Sequence, residues 1–291
     1  MDQSSTTVPR RQLGHCLQRL RDKGNLSVRM VSEAVGWSRQ KLWRIERGAG
    51  SVRPADVRRL CELYQAPAEL TASLTELARQ PPGRSWWQAY PDVGPDRLDP
   101  YPMMEAEATR LRCYDAELVP VLLRTPAYTA EVLRAERPDQ TGRERSRLVA
   151  RDRWRQRVLH RRGPTAPRLE FLLSEAALRR PVVDHPAMVG QLSYLVAVNE
   201  LPTVRVRVLP LAAGPHPGSA CGNFTLLDFA GSGRRLGGPS VVRQEGPTGA
   251  LYLDRSAEVN RYQEIWAGMA ALALSERESG PFIASFAGVR G

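Results

Sequence analysis

The chain has 291 residues, 42% of them hydrophobic, which is enough for one large domain or two of ordinary size around a real core and excludes a disordered chain. Lys+Arg 42 against Asp+Glu 31 leaves a net charge of +11, so polyanions are the partner class to expect, although charge alone does not separate nucleic acid from membrane. No apolar run reaches the length of a membrane span and the N-terminus carries no signal-like segment, so a cytoplasmic chain is expected.

Cys16, Cys61, Cys113 and Cys221 are scattered with no CxxC spacing, which argues against a zinc site or a disulfide framework and for small core residues in a reducing compartment. Only Lys23 and Lys41 among the basic residues are lysine, and Ala, Gly and Pro are abundant, a bias that points to a GC-rich bacterium.

From residue 10 to 79 the apolar positions fall at helical spacings: Leu13, Cys16, Leu17 and Leu20; Val28, Val31 and Val35; Leu42 and Ile45; Val57, Leu60, Cys61 and Tyr64; Leu70, Leu74 and Leu77. The boundaries are written as well. Residues 23–25 end the first helix, Ser27 caps the second, Gly36 stops it, Ser38 caps the third, and Pro54 suits the first position of the fourth. The composition then changes abruptly at QPPGRSWWQAYPD, residues 80–92, and a linker is expected over 80–100. Its Trp86, Trp87 and Tyr90 are either a stacking platform for bases or aromatics that pin the start of the second domain.

Helical patterns return over Met104–Tyr114, Pro126–Ala135 and Gly142–Arg162. The period then becomes that of strands at 169–173, 203–211, 224–229 and 250–254, with VRVRV alternating strictly, and a last helix is expected over Ser256–Leu274. Without a regular βαβ rhythm the fold class of this part is mixed α/β.

A helix stopped at Gly36, a turn through Trp37 and Ser38, and a helix anchored by Leu42 and Ile45 match a helix-turn-helix, whose second helix enters the major groove N-terminus first. Arg39 suits paired hydrogen bonds to guanine and Gln40 to adenine. Arg44 lies one turn further along the same face, Lys41 and Arg47 flank it toward phosphates, and Ser38 offers the helix N-terminus to another. Residues 1–79 hold fourteen Lys+Arg and eight Asp+Glu, a net +6, so the excess charge is concentrated there.

The stretch LSVRMVSEAVGWSRQKLWRIERGAGSVRPADVRRLCELY resembles the Xre-type, phage-repressor-like regulators, whose pattern is carried by Gly36, Trp37, Ser38, Lys41, Arg44, Ile45, Glu46 and Gly48. Where that family usually has a phosphate-contacting Gln at the start of the second helix, this chain has Val28, with Ser27 and Arg29 beside it as partial replacements. Beyond the linker, WWQAY, SEAALRRPV, VRVLPLAAGPHPGSACGNFTLLDF and GALYLD are similar to the second domain of actinobacterial WhiJ-like, antitoxin-like transcription factors. That resemblance implies a DNA-binding regulator whose gene often neighbours that of a small partner protein.

Nothing in the second domain reads as catalytic. His15, His160, His185 and His216 are too dispersed for ligand spacing, and residues 230–238 have Leu236 where a dinucleotide fingerprint needs glycine, so a loop is expected. His216, Ser219 and Cys221 invite a nucleophile-and-base reading, yet the Pro and Gly around them indicate a loop that is structural, ligand-lining or partner-binding. Residues 143–162 carry nine arginines against Glu144 and Asp152, as a second phosphate-binding surface, a seam for an acidic partner or a solvated helix face.

The sequence therefore predicts an N-terminal all-α helix-turn-helix bundle over 1–79, followed after the linker by a larger mixed α/β domain over 101–291 that dimerises and binds a small protein partner or small-molecule effector. Double-stranded DNA and a second copy of the chain are the expected partners; no membrane, cofactor, metal or catalysis is expected. The alternatives are an antitoxin-like protein that mainly binds a small cognate protein, and an enzyme tethered to DNA.

Overall fold

Where the apolar spacing is strongest, the chain folds as its local signals direct. Helices α1 (Val8–Lys23), α2 (Val28–Val35), α3 (Arg39–Glu46), α4 (Pro54–Leu63) and α5 (Ala68–Arg79) pack Leu13, Leu17, Val31, Val35, Leu42, Ile45, Val57, Leu60 and Leu74 into one core. The caps form as expected: the Ser27 hydroxyl accepts from the Met30 amide at 3.2 Å and that of Ser38 from the Lys41 amide at 3.1 Å. The computed structural model describes residues 8–79, 101–163, 166–230, 240–246 and 249–288. The aromatics expected at 86–90 and the loop at 231–238 lie outside the described residues.

The second part is built on a six-stranded sheet in the order β3-β2-β1-β4-β5-β6. Its strands are β1 (Ala108–Asp115), β2 (Arg168–Ser174), β3 (Val204–Leu209), β4 (Phe224–Phe229), β5 (Val241–Gly246) and β6 (Gly249–Leu253). β1, β2 and β3 run parallel, with Cys113 beside Phe171 and Phe171 beside Val206, whereas β4, β5 and β6 continue antiparallel from the other side of β1. The parallel half requires crossover connections, and these hold α7 (Pro126–Glu136), α8 (Gly142–Arg155), α9 (Glu175–Arg179) and α10 (His185–Asn199). The antiparallel half is entered from β3 through residues 210–223, past β2 and β1 in the sheet order.

Both faces of the sheet are covered. Leu111, Leu169, Phe171, Val206 and Val208 meet Leu192 and Leu195 of α10 and Ile283 of α12 (Glu276–Ala287), while Leu172, Leu226 and Val242 meet Val259, Trp266 and Met269 of α11 (Ser256–Leu272). The expected fold class, a helical N-terminal bundle followed by a mixed α/β domain, is the one observed.

Several elements differ from the sequence reading. The helix expected over 104–114 ends at Glu107, as α6 (Tyr101–Glu107), and 108–115 becomes the central strand β1. ATRLRCYD fits both periods, and pairing on both edges with β2 and β4 decides for the strand. The helix expected over 142–162 stops at Arg155 and finishes as a 3₁₀ turn, Gln156–His160.

Three helices, α9, α10 and α12, and the strand β5 have no counterpart among the elements expected from the sequence. α10 is apolar on several sides because it packs against α7, α12 and β3, so it shows no single stripe. α12 follows the helix expected to be last; its signal is local, a capping box between Ser275 and Glu278. β5 has only Val241 and Val242 buried.

Candidate nucleic-acid interface

The site is assembled from the turn outward. Gly36 closes α2 at φ +68°, a left-handed conformation that costs glycine least, and the chain then turns through Trp37 to the Ser38 cap of α3. Leu42 and Ile45 are buried against the bundle, which fixes the rotation of α3 and leaves Arg39, Gln40, Lys41, Trp43, Arg44 and Arg47 exposed on the opposite side.

These exposed residues are not equivalent. Among the described residues no hydrogen bond or ion pair engages the side chains of Arg39 and Gln40, so both donor sets are available to a groove. Lys41 places its ammonium 3.9 Å from the Trp37 ring centroid, and Arg47 its guanidinium 4.8 Å from that of Trp43. Arg44 donates to the Ala49 carbonyl at 3.3 Å and so ties α3 to the turn that follows it. On α2, Ser27 is spent as a cap acceptor, and Arg29 pairs with Glu33 at 2.8 Å in a solvent-exposed contact that a phosphate would replace at little cost.

What holds α3 in place was not legible in the pattern. Glu46 is buried, and its carboxylate accepts two hydrogen bonds from Arg21 of α1, 2.6 Å from Nε and 3.0 Å from Nη2; Arg21 also donates to the Leu26 carbonyl at 2.9 Å. Gly14 of α1 lies so close to the end of α3 that a Cβ there would stand 2.2 Å from the Ile45 carbonyl oxygen. Arg59 of α4 donates to the Val35 and Ala34 carbonyls, at 3.2 and 3.1 Å, and so satisfies the C-terminus of α2. A glycine in α1 and an arginine in α4 carry no sequence mark of these roles, since each depends on a helix some 25 or more residues away.

In the second domain the residues suspected of chemistry do not form a nucleophile and base. His216 uses Nδ1 to accept from the Gly218 amide at 3.2 Å, Ser219 accepts from the His216 amide at 3.0 Å, and the Cys221 thiol donates to the Gly218 carbonyl at 3.2 Å. All three serve their own turn, and burial raises the pKa of the Cys221 thiol. The described His, Cys, Asp and Glu residues form no group of three or more able to hold a metal, and no described helix is long and apolar enough to cross a membrane.

The arginine-rich segment divides between two jobs. Arg155, half-buried, makes a two-bond pair with the buried Glu105, at 3.0 and 2.8 Å, and fastens α8 to α6. Arg143, Arg147, Arg153 and Arg157 are exposed, and Trp154 stands among them 55% exposed, beside His160 and Tyr194 in a shallow groove.

No curated protein and no solved structure matches the chain. Residues 12–74 match the model of a helix-turn-helix domain, in agreement with the geometry of α2 and α3 and indicative of a DNA-binding regulator. Residues 98–285, well over half of the chain, match the model described as Domain of unknown function (DUF5753), and the chain belongs to that family.

Proposed function

We propose that this protein is a sequence-specific transcriptional regulator of the Xre, WhiJ-like kind, actinobacterial and cytoplasmic, that binds double-stranded DNA as a homodimer. Its second domain, beyond residue 100, supplies the dimer contact and senses a small molecule or small protein; it is not catalytic. The observation that carries the DNA reading is the pair Arg39 and Gln40, exposed at the N-terminus of a helix whose rotation the core fixes, with unspent donors. In this reading they meet base edges, while Ser27, Arg29, Ser38, Lys41, Arg44 and Arg47 meet phosphates or the next base.

Selection of duplexes from a random pool by the full chain tests it. The selected site should be a pseudo-palindrome with half-sites about 34 Å apart. Arg39→Ala or Gln40→Ala should each cost about 1–3 kcal/mol there and relax one position, whereas Lys41→Ala or Arg47→Ala should weaken binding to every duplex. Equal losses on selected and random DNA for Arg39→Ala would remove the base-reading assignment. Binding as a monomer to an asymmetric site would remove the dimer.

A second reading, an antitoxin-like protein that mainly holds a small acidic partner, is favoured by one observation: the exposed Trp154 ringed by Arg153, Arg157 and His160. Its mark is a small protein that co-purifies from the native host, is lost in Trp154→Ala, and is lost without any change in duplex affinity.

A further inference from the structure

A cavity of about 550 Å³ opens at the carboxyl end of β1, within the size range of metabolite pockets. From β1 the sheet grows in two directions, to the parallel β2 on one side and the antiparallel β4 on the other. The connection from β3 to β4, residues 210–223, reaches this end of the sheet and holds it through Asn223, whose Oδ1 accepts from the Ala116 amide at 2.9 Å.

The lining is charged in both senses. Asp115, Glu136 and Glu245 share it with Arg124, Arg137 and Arg243, and Tyr101 and Leu118 add apolar surface. A lining with three carboxylates and three guanidinium groups suits a molecule that carries both charges rather than a bare anion or a bare cation.

Two groups in the cavity are short of partners. The Asp115 carboxyl, the last residue of β1, receives only the weak thiol donor of Cys113, at 3.4 Å; no other hydrogen bond or ion pair reaches it among the described residues. Arg124 is anchored through Nε to the Val119 carbonyl at 2.6 Å, and its terminal nitrogens make no protein hydrogen bond among the described residues. Its charge nevertheless acts on Asp115. Arg243 is packed on Tyr101, 4.0 Å from the ring centroid, and paired with Glu245 at 2.9 Å, so that wall is preformed.

We propose that this cavity binds a free α-amino acid, its ammonium group on Asp115, its carboxylate on Arg124 with Arg137 at the rim, and its side chain along Leu118. The site deepens the sensing role proposed above and rests on it only for its consequence at DNA. The strand beneath the cavity supplies a physical connection: β4 begins at the lining with Phe224 and Thr225 and ends at Phe229, whose ring centroid lies 4.1 Å from the guanidinium of Arg11 in α1.

Binding has a proton signature. The groups that act on Asp115, or respond to it, are Cys113 and Tyr114 on β1, Arg124, Tyr128 on α7, and Arg243 and Glu245 on β5. Burial, outweighing the two arginines, pushes the Asp115 carboxyl up to about 7. An arriving ammonium group favours the ionised form, so binding at pH 7 releases about half a proton, more near pH 6 and almost none at pH 9.

Calorimetric titration of the full chain with each of the twenty free L-amino acids, in two buffers of different ionisation enthalpy, tests the site. One amino acid, or a related group, should bind one to one with that proton release. Succinate and putrescine, which each carry one kind of charge only, should bind at least tenfold more weakly. D115N should lose at least tenfold in affinity and all of the proton release, and Arg137→Ala, at an exposed position remote from the core, should lose several-fold even if D115N does not fold. Absence of binding by all twenty, a control that binds as tightly, or undiminished binding by folded D115N or by Arg137→Ala overturns the proposal. Binding with these signatures but without change in affinity for a selected duplex leaves the site standing and removes the sensing role instead.

Discussion

Removing the carboxylate of Glu46 should disable the DNA-binding bundle without touching its outer surface. The Arg21 and Glu46 side chains are 9% and 4% exposed, and two hydrogen bonds join them. Glu46→Ala leaves a guanidinium in the core with only the Leu26 carbonyl and the exposed Asp22 as partners, at a cost of about 3–5 kcal/mol. A bundle of this size has a total stability of roughly 4–11 kcal/mol at the usual value per residue, so the loss is a large fraction of the whole. Hydrogen exchange of the full chain, followed by peptide, separates the bundle from the sheet domain. Amides in α1 and α3 should exchange about 10²- to 10⁴-fold faster while those of β1, β2 and β3 keep their protection. Replacing both partners, Arg21→Met with Glu46→Leu, should recover most of the loss because no charge is then left buried. Acceleration below tenfold in Glu46→Ala, or a double variant as unstable as the single one, would refute the argument from an uncompensated charge.

The two glycines of helices α1 and α10 should respond oppositely to alanine. Gly14→Ala drives a methyl group into the Ile45 carbonyl and should destabilise the bundle by about 1–3 kcal/mol, whereas Gly190→Ala meets open space on an exposed helical face and should stabilise by about 0.5–1 kcal/mol; thermal melts of the two variants check the signs. Asp115 should give the sheet domain a pH dependence of a definite sign. Its folded pKa of about 7 lies above the unfolded value of about 3.9, so its contribution is complete below pH 4 and is lost as the pH rises to 7, by up to about 4 kcal/mol; in D115N that part of the slope should disappear from melts between pH 4 and 8. Arg59→Ala uncovers two carbonyls at the end of α2 and should loosen α2 by about 1–3 kcal/mol, seen as faster exchange of its last turn, with the sheet domain unaffected.

The bundle and its outer face were legible because every signal there is local. Caps at Ser27 and Ser38, the stop at Gly36 and the spacing of Leu42 to Ile45 act within one or two turns of helix, and together they determine which way Arg39 and Gln40 point. In the second domain, the strands 169–173 and 224–229 announced themselves by apolar content, and the VRVRV alternation located β3. That alternation did not reveal where Arg207 goes. The arginine turns under α11 and donates to the Ala270, Ala273 and Leu274 carbonyls, each at 2.8 Å, so a position that resembles a solvent face is a helix cap.

The tertiary structure alone decided the rest. ATRLRCYD became a strand only because β2 and β4 offered hydrogen bonds on both sides, and the crevice around Asp115 is lined from β1, residues 118–137, the start of β4 and β5. The Arg21–Glu46 pair and the close seat of Gly14 likewise exist only once α1 lies across the end of α3. A helix or a cap is stabilised by neighbours in sequence, so the sequence by itself specifies it. A buried ion pair, a mixed-charge cavity and a central strand are stabilised by neighbours in space, brought together from segments 25 to more than 100 residues apart, and only the folded chain determines which those are.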